Sequence, residues 1–190
     1  DHGEEFLEHG AWAHGRSLHR ELVNVPLILR TPGAEPEVGR IAARARQVDV
    51  LPTLLELNGI AAPKRVQGTS LMALLDGDGP RVAYGHLRVR GRYQDGITEG
   101  RWKLLVSDNA EGRRQLYDLA TDPSGTEPLE APPANIVTTM HNQLQDWYHD
   151  IHTVPTSFVT QHDGSAVLKG ASMQRTPGFG GYTFGIGIAD

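Results

Sequence analysis

Val82-Ala-Tyr-Gly-His-Leu-Arg-Val89, Asp95-Gly-Ile-Thr98, Arg101-Trp-Lys-Leu-Leu-Val106 and Gln115-Leu-Tyr-Asp-Leu119 alternate apolar and polar residues. A period of two sends successive side chains to opposite faces of a pleated strand. Gln94-Asp-Gly96 and Glu99-Gly100 are turn signals, so the stretch predicts an antiparallel meander with one solvated face. Downstream, Ile136, Val137, Met140, Leu144, Trp147 and Tyr148 recur at helical spacing across 134–151, predicting a helix packed on that small sheet. Trp102, Tyr117 and Trp147 are the expected packing anchors.

Upstream the texture differs. Val25-Pro-Leu-Ile-Leu29 is a near-continuous apolar run, which predicts a strand buried on both faces, as in a sheet covered by helices. Residues 47–58 predict the clearest helix of this half, with Asp49 as N-cap, Pro52 in the first turn, Asn58-Gly59 as its stop and Leu51, Leu54 and Leu55 as a core stripe. A short helix follows at 70–75, capped by Ser70 and stopped by Asp76-Gly77. Residues 17–23 predict a turn or two of helix. The expected organisation is α/β. Residues 1–80 form the C-terminal part of a mixed sheet with flanking helices, 81–152 a small antiparallel sheet on a C-terminal helix, and 153–190 a Gly-rich tail, either flexible or forming a hairpin edge. The opening has neither an initiator Met nor a signal segment, so a piece of a longer chain is expected.

The chain has 190 residues, with 18 Lys+Arg against 23 Asp+Glu and a formal net charge of −5. That acidic balance argues against a nucleic-acid partner. No apolar run approaches the roughly 20 residues of a membrane span. Cysteine is absent, which excludes disulfides, thiolate metal sites and a Cys nucleophile within this chain.

Four of the nine histidines fall in the first 19 residues. Asp1-His2-Gly3 sets a carboxylate beside an imidazole at a bend, and O plus N donors suit a divalent ion of intermediate hardness. His9-Gly10 and His14-Gly15 place two more imidazoles on turns, able to hold or protonate an anionic group. Two ligands do not complete a metal site. The residues alone therefore give half of one, with the remaining donors elsewhere.

Asp1-His-Gly-Glu4, Glu8-His-Gly10, His14-Gly-Arg-Ser-Leu18, Glu21 and Val25-Pro-Leu-Ile28 resemble the second metal-binding segment of the sulfatase family, within the alkaline phosphatase superfamily. Val48-Asp-Val-Leu-Pro-Thr-Leu-Leu55, Gln67-Gly-Thr-Ser-Leu71, Gly100-Arg-Trp-Lys-Leu104, Leu116-Tyr-Asp-Leu119 and Asp122-Pro123 continue the resemblance in order, to about Ile151. It implies that Asp1 and His2 are ligands of one divalent cation, Ca²⁺ as is usual in sulfatases, with Mn²⁺ or Zn²⁺ as alternatives. His14 sits where these enzymes place a Lys or His against the sulfuryl oxygens, so it is the expected catalytic and substrate-binding group, with His9 as a second substrate contact. The substrate class implied is a small-molecule or saccharide sulfate ester, and the setting periplasmic or extracellular. The family nucleophile, a formylglycine, lies upstream of the matching region, so this chain alone is expected to be inactive. The rivals are a phosphoric or phosphonic ester hydrolase or phosphotransferase of the same superfamily, or a non-catalytic degenerate domain. Ser124-Gly125 stands where the family usually has Glu after Asp-Pro.

The remaining features have structural readings. His19, His86, His141, His149 and His152 are expected at the surface or in packing. Glu4 and Glu5 are expected to be solvated or to orient His2. Arg40, Arg44 and Arg46 are expected to form a solvated face.

Overall fold

The computed structural model describes residues 1–30, 39–64, 66–75, 81–89, 92–107, 113–152 and four short strands beyond them. In chain order the elements are β1 (Glu5–Phe6), β2 (Trp12–Ala13), α1 (Arg20–Val23), a 3-10 turn (Gln47–Asp49) running into α2 (Val50–Leu57), and α3 (Met72–Leu75). The meander follows as β3 (Ala83–Val89), β4 (Arg92–Glu99), β5 (Trp102–Ser107) and β6 (Arg114–Asp118), then α4 (Ala134–His152). In the tail, β7 (Ser157–Thr160) pairs antiparallel with β8 (Ala166–Lys169), and β9 (Met173–Arg175) with β10 (Tyr182–Phe184).

The meander forms one antiparallel sheet in strand order 3-4-5-6. Its register puts Tyr84, Ile97, Leu104 and Leu116 in one row across four strands. With the period of two, that row meets Met140 and Leu144 of α4, and Ile97, Leu104, Leu116, Met140 and Leu144 are buried. Burial contributes roughly 2 kcal/mol for each such side chain. Trp147 stacks on Tyr84 with ring centroids 4.9 Å apart. The neighbouring row, Gly85, Gly96 and Leu105, faces the opposite way and receives the N-terminal segment. The turn expected at Glu99-Gly100 forms, with Gly100 at φ +52°. The turn expected at Gln94-Asp-Gly96 does not, because these residues lie inside β4. Gly96 is there for room: a Cβ would lie 3.0 Å from Leu105 Cδ2 and 3.3 Å from Leu18 Cδ1. His86 lies in β3 opposite Asp95 and donates from Nδ1 to its carboxylate.

Four upstream expectations are corrected. Residues 25–29 form no strand, and Ile28 is 90% exposed. A two-faced buried strand needs ladder partners and covering helices, and none faces this run among the described residues. In α2, Leu51 and Leu54 are exposed while Pro52 and Thr53 are buried. The helix is docked by hydrogen bonds: Thr53 Oγ1 donates to Asp49 O (2.6 Å) and accepts from Leu71 N (2.8 Å). Asp49 stands at the N-cap position of α2 as expected, but its side chain makes no capping bond to the helix. Its carboxylate is fully buried and accepts from Arg46 Nη2 (2.7 Å), Arg46 Nε (3.0 Å) and Thr69 N (2.9 Å), with Arg81 Nη1 at 3.2 Å. Burial opposes the charge, but these donors outweigh it and hold Asp49 below the usual carboxylate range. Arg44 and Arg46 are not a solvated face. Arg44 donates to the carbonyls of Arg81 (3.0 Å), Thr98 (3.3 Å) and Gly100 (3.0 Å), and Arg46 to Val82 O (3.1 Å). Ser70 caps as expected, accepting from Met72 N at 3.2 Å. The stop expected at 76–77 lies outside the described residues.

Candidate functional site

The N-terminal segment folds around a buried carboxylate. Glu5 Oε1 accepts from His9 N (3.1 Å) and Ala11 N (2.8 Å), and Leu7 N closes the loop onto Ala11 O (2.9 Å). Glu5 was expected in solvent or orienting His2; its burial is satisfied because backbone donors meet it. His14 sits between Ala13 (φ +70°) and Gly15 (φ +73°). A left-handed alanine costs about 1 kcal/mol. The double reversal turns His14 back onto His2, with ring centroids 4.3 Å apart.

Asp1 and His2 are pinned by Gly3. Its N–H donates to Leu22 O (2.9 Å), and a Cβ there would lie 1.9 Å from Glu21 O. Close approach to α1, not a left-handed bend, is why glycine stands here. Gln47 Nε2 donates to Asp1 O. His2 Nδ1 donates to Gly3 O (2.9 Å), which fixes the tautomer and leaves the Nε2 lone pair to ligate. Asp1 Oδ1 lies 3.9 Å from that Nε2, and both side chains face solvent. A carboxylate beside a fixed, outward imidazole nitrogen fits a divalent cation; the nitrogen fits Mn²⁺ or Zn²⁺ as well as Ca²⁺, which prefers oxygen. His14 Nδ1 donates to Glu4 Oε1, so Glu4 holds His14 rather than His2, and Nε2 is the nitrogen that can meet a ligand. His2, Glu4 and His14 offer ligand atoms within 4.8 Å of one another.

His9 lies deeper. Nδ1 meets Glu21 Oε1 (2.8 Å) and Nε2 meets Gly125 O (2.9 Å). Both ring nitrogens are thus engaged by acceptor oxygens. Gly125 belongs to the loop after β6, which wraps Asp122: its carboxylate accepts from the backbone N–H of Glu127 (2.9 Å), Thr126 (2.7 Å) and Gly125 (3.0 Å), led by Glu127 in holding it below the usual range. Arg20 Nη1 donates to Pro123 O (2.8 Å). The 122–127 loop thus reaches the N-terminal segment through two carbonyls, those of Pro123 and Gly125.

Beneath lies a group the sequence reading did not single out as functional. His19 stacks on His9 at 3.6 Å and meets Tyr117 edge-on. Burial first, then the fields of His9 and Lys103, push it down to about 4. Burial pushes Lys103 down to about 8, against the pull of Glu21, and raises Tyr117 to about 12. The available signal was Lys103 in register with Tyr117, on the face that alternation assigns to solvent.

The meander thus packs on a long helix with one face and receives the N-terminal segment, through Leu18, on the other. The family model described as N-sulphoglucosamine sulphohydrolase, C-terminal, matches residues 7–150, and the chain belongs to that family. It is 31% identical over 136 residues to mouse (Mus musculus) arylsulfatase K, covering 65% of this chain and 24% of that protein. The figures are the same for N-acetylglucosamine-6-O-sulfatase of Bacteroides thetaiotaomicron. The chain therefore spans about a quarter of these curated relatives. Among solved structures, BT4656 in complex with its substrate D-glucosamine-2-N,6-O-disulfate superposes with a TM-score of 0.66 at 26% identity, covering 77% of this chain and 32% of the other.

Proposed function

We propose that this region supplies one wall of a sulfatase centre hydrolysing a saccharide sulfate ester. Asp1 and His2 hold one divalent cation. His14 Nε2 donates to the sulfuryl oxygens, where charge grows in the transition state. Glu4 orients and charge-balances His14. His9, expected as a substrate contact, is assigned the positioning of Glu21 and the 122–127 loop, since both its nitrogens are engaged. When bound, the cation supplies Lewis-acid polarisation of the ester. The nucleophile and the remaining ligands are assigned to polypeptide outside this chain.

The observation that carries this reading is the convergence of His2 and His14 beside an outward Asp1 carboxylate. The sulfated amino sugar bound to BT4656 supports the substrate class. The test is sulfate release from D-glucosamine 6-sulfate by the full-length protein. Asp1→Ala is expected to abolish turnover, and His14→Ala to reduce it by about 100-fold or more, the range for removing one oxyanion donor. Wild-type turnover by both variants would overturn the reading, and hydrolysis of only the phosphate ester analogue would move it to the phosphoesterase branch.

A further inference from the structure

Leu18 is gripped from three sides by the sheet. Its N–H donates to Gln94 Oε1 (2.6 Å), and its carbonyl accepts from Lys103 Nζ (2.6 Å). Its side chain fills a cradle made by Gly85 and Gly96, which face each other in register; a Cβ on either would lie 3.3 Å from Leu18 Cδ1. Gln94 is itself aimed, its Nε2 donating to Ser107 Oγ (3.1 Å). Lys103 and Gln94 are 7% and 8% exposed. No such grip is needed to build the sheet, whose core lies on the other face against α4. Spending a buried ammonium on a peptide carbonyl is also unfavourable for folding, as the lowered affinity of Lys103 for its proton records.

Leu18 stands four residues after His14. Between them, Gly15 passes near β3: a Cβ there would lie 4.0 Å from Val89 Cγ1. The place of Leu18 on the sheet therefore fixes where His14 can reach. We propose that Lys103 and Gln94 are positioning residues: through Leu18 they hold His14 at the sulfuryl group, making the small sheet a working part of the active centre. This rests on His14 acting as proposed above. Loosening such a mount by about 1 Å costs about 100-fold in rate.

The test is a double-mutant cycle in the full-length protein, reading kcat and KM for 4-nitrophenyl sulfate together with the urea midpoint. Lys103→Met is expected to lower kcat by about 10- to 100-fold, to change KM far less, and to leave the midpoint unchanged or higher, since it removes a buried charge. In a His14→Ala background it should cost less than threefold more. Gln94→Leu is the second route if Lys103→Met fails to fold, with the same expected pattern. Wild-type turnover by His14→Ala sinks the functional reading itself. Loss in His14→Ala with wild-type kcat in Lys103→Met and Gln94→Leu, or the full factor repeated in both backgrounds, or a kcat loss that tracks the midpoint, sinks the positioning role alone.

Discussion

His19 gives the fold an acid-sensitive joint whose size follows from its surroundings. The ring is stacked on His9, edge-on to Tyr117 and within the field of Lys103, and holds its proton only below about 4. In the unfolded chain it takes a proton near 6.5. Between those values the unfolded state binds more protons, so stability falls as pH drops from 6.5 to about 4 and is then flat for this group. A difference of about 2.5 units at 1.36 kcal/mol each gives about 3.4 kcal/mol, and partial exposure of the ring reduces it to about 2 kcal/mol. Asp49, Asp118 and Asp122 are held below the usual carboxylate value, so their acid losses begin lower and the windows separate. His19→Phe keeps the ring against His9 and Tyr117 without the titration. Urea unfolding of the full-length protein at pH 7, 5.5 and 4.5 should show wild type losing about 2 kcal/mol more than His19→Phe. Parallel losses in the two proteins would refute the argument.

Removing the hub carboxylate by Asp49→Ala leaves Arg46 and Arg81 without their shared buried partner; the expected loss is about 3 kcal/mol or more in the same assay at pH 7. Gly3→Ala drives a Cβ into the Glu21 carbonyl, costing about 1–3 kcal/mol, and should weaken Mn²⁺ binding by titration calorimetry. Unchanged affinity would separate the Asp1–His2 pair from the metal.

The sequence alone determined what repeats or sits close along the chain. Period-two alternation located the meander, helical spacing located α4, and Asp1-His2-Gly3 with His14 marked the candidate site. Each signal is local: a strand's faces and a helix's stripe are written in consecutive residues. The tertiary structure decided what those signals leave open. Gly96 is a cradle rather than a turn because Leu105 and Leu18 crowd it. Asp49 is an ion-pair hub because Arg81 arrives from beyond the helix that follows. Leu51 and Leu54 match the core pattern yet are exposed, because periodicity names a face but not what covers it. His9 meets a carbonyl 116 residues away, and Lys103 one 85 residues away. No local pattern encodes contacts of that span, since they exist only once the sheet and the N-terminal segment have packed together.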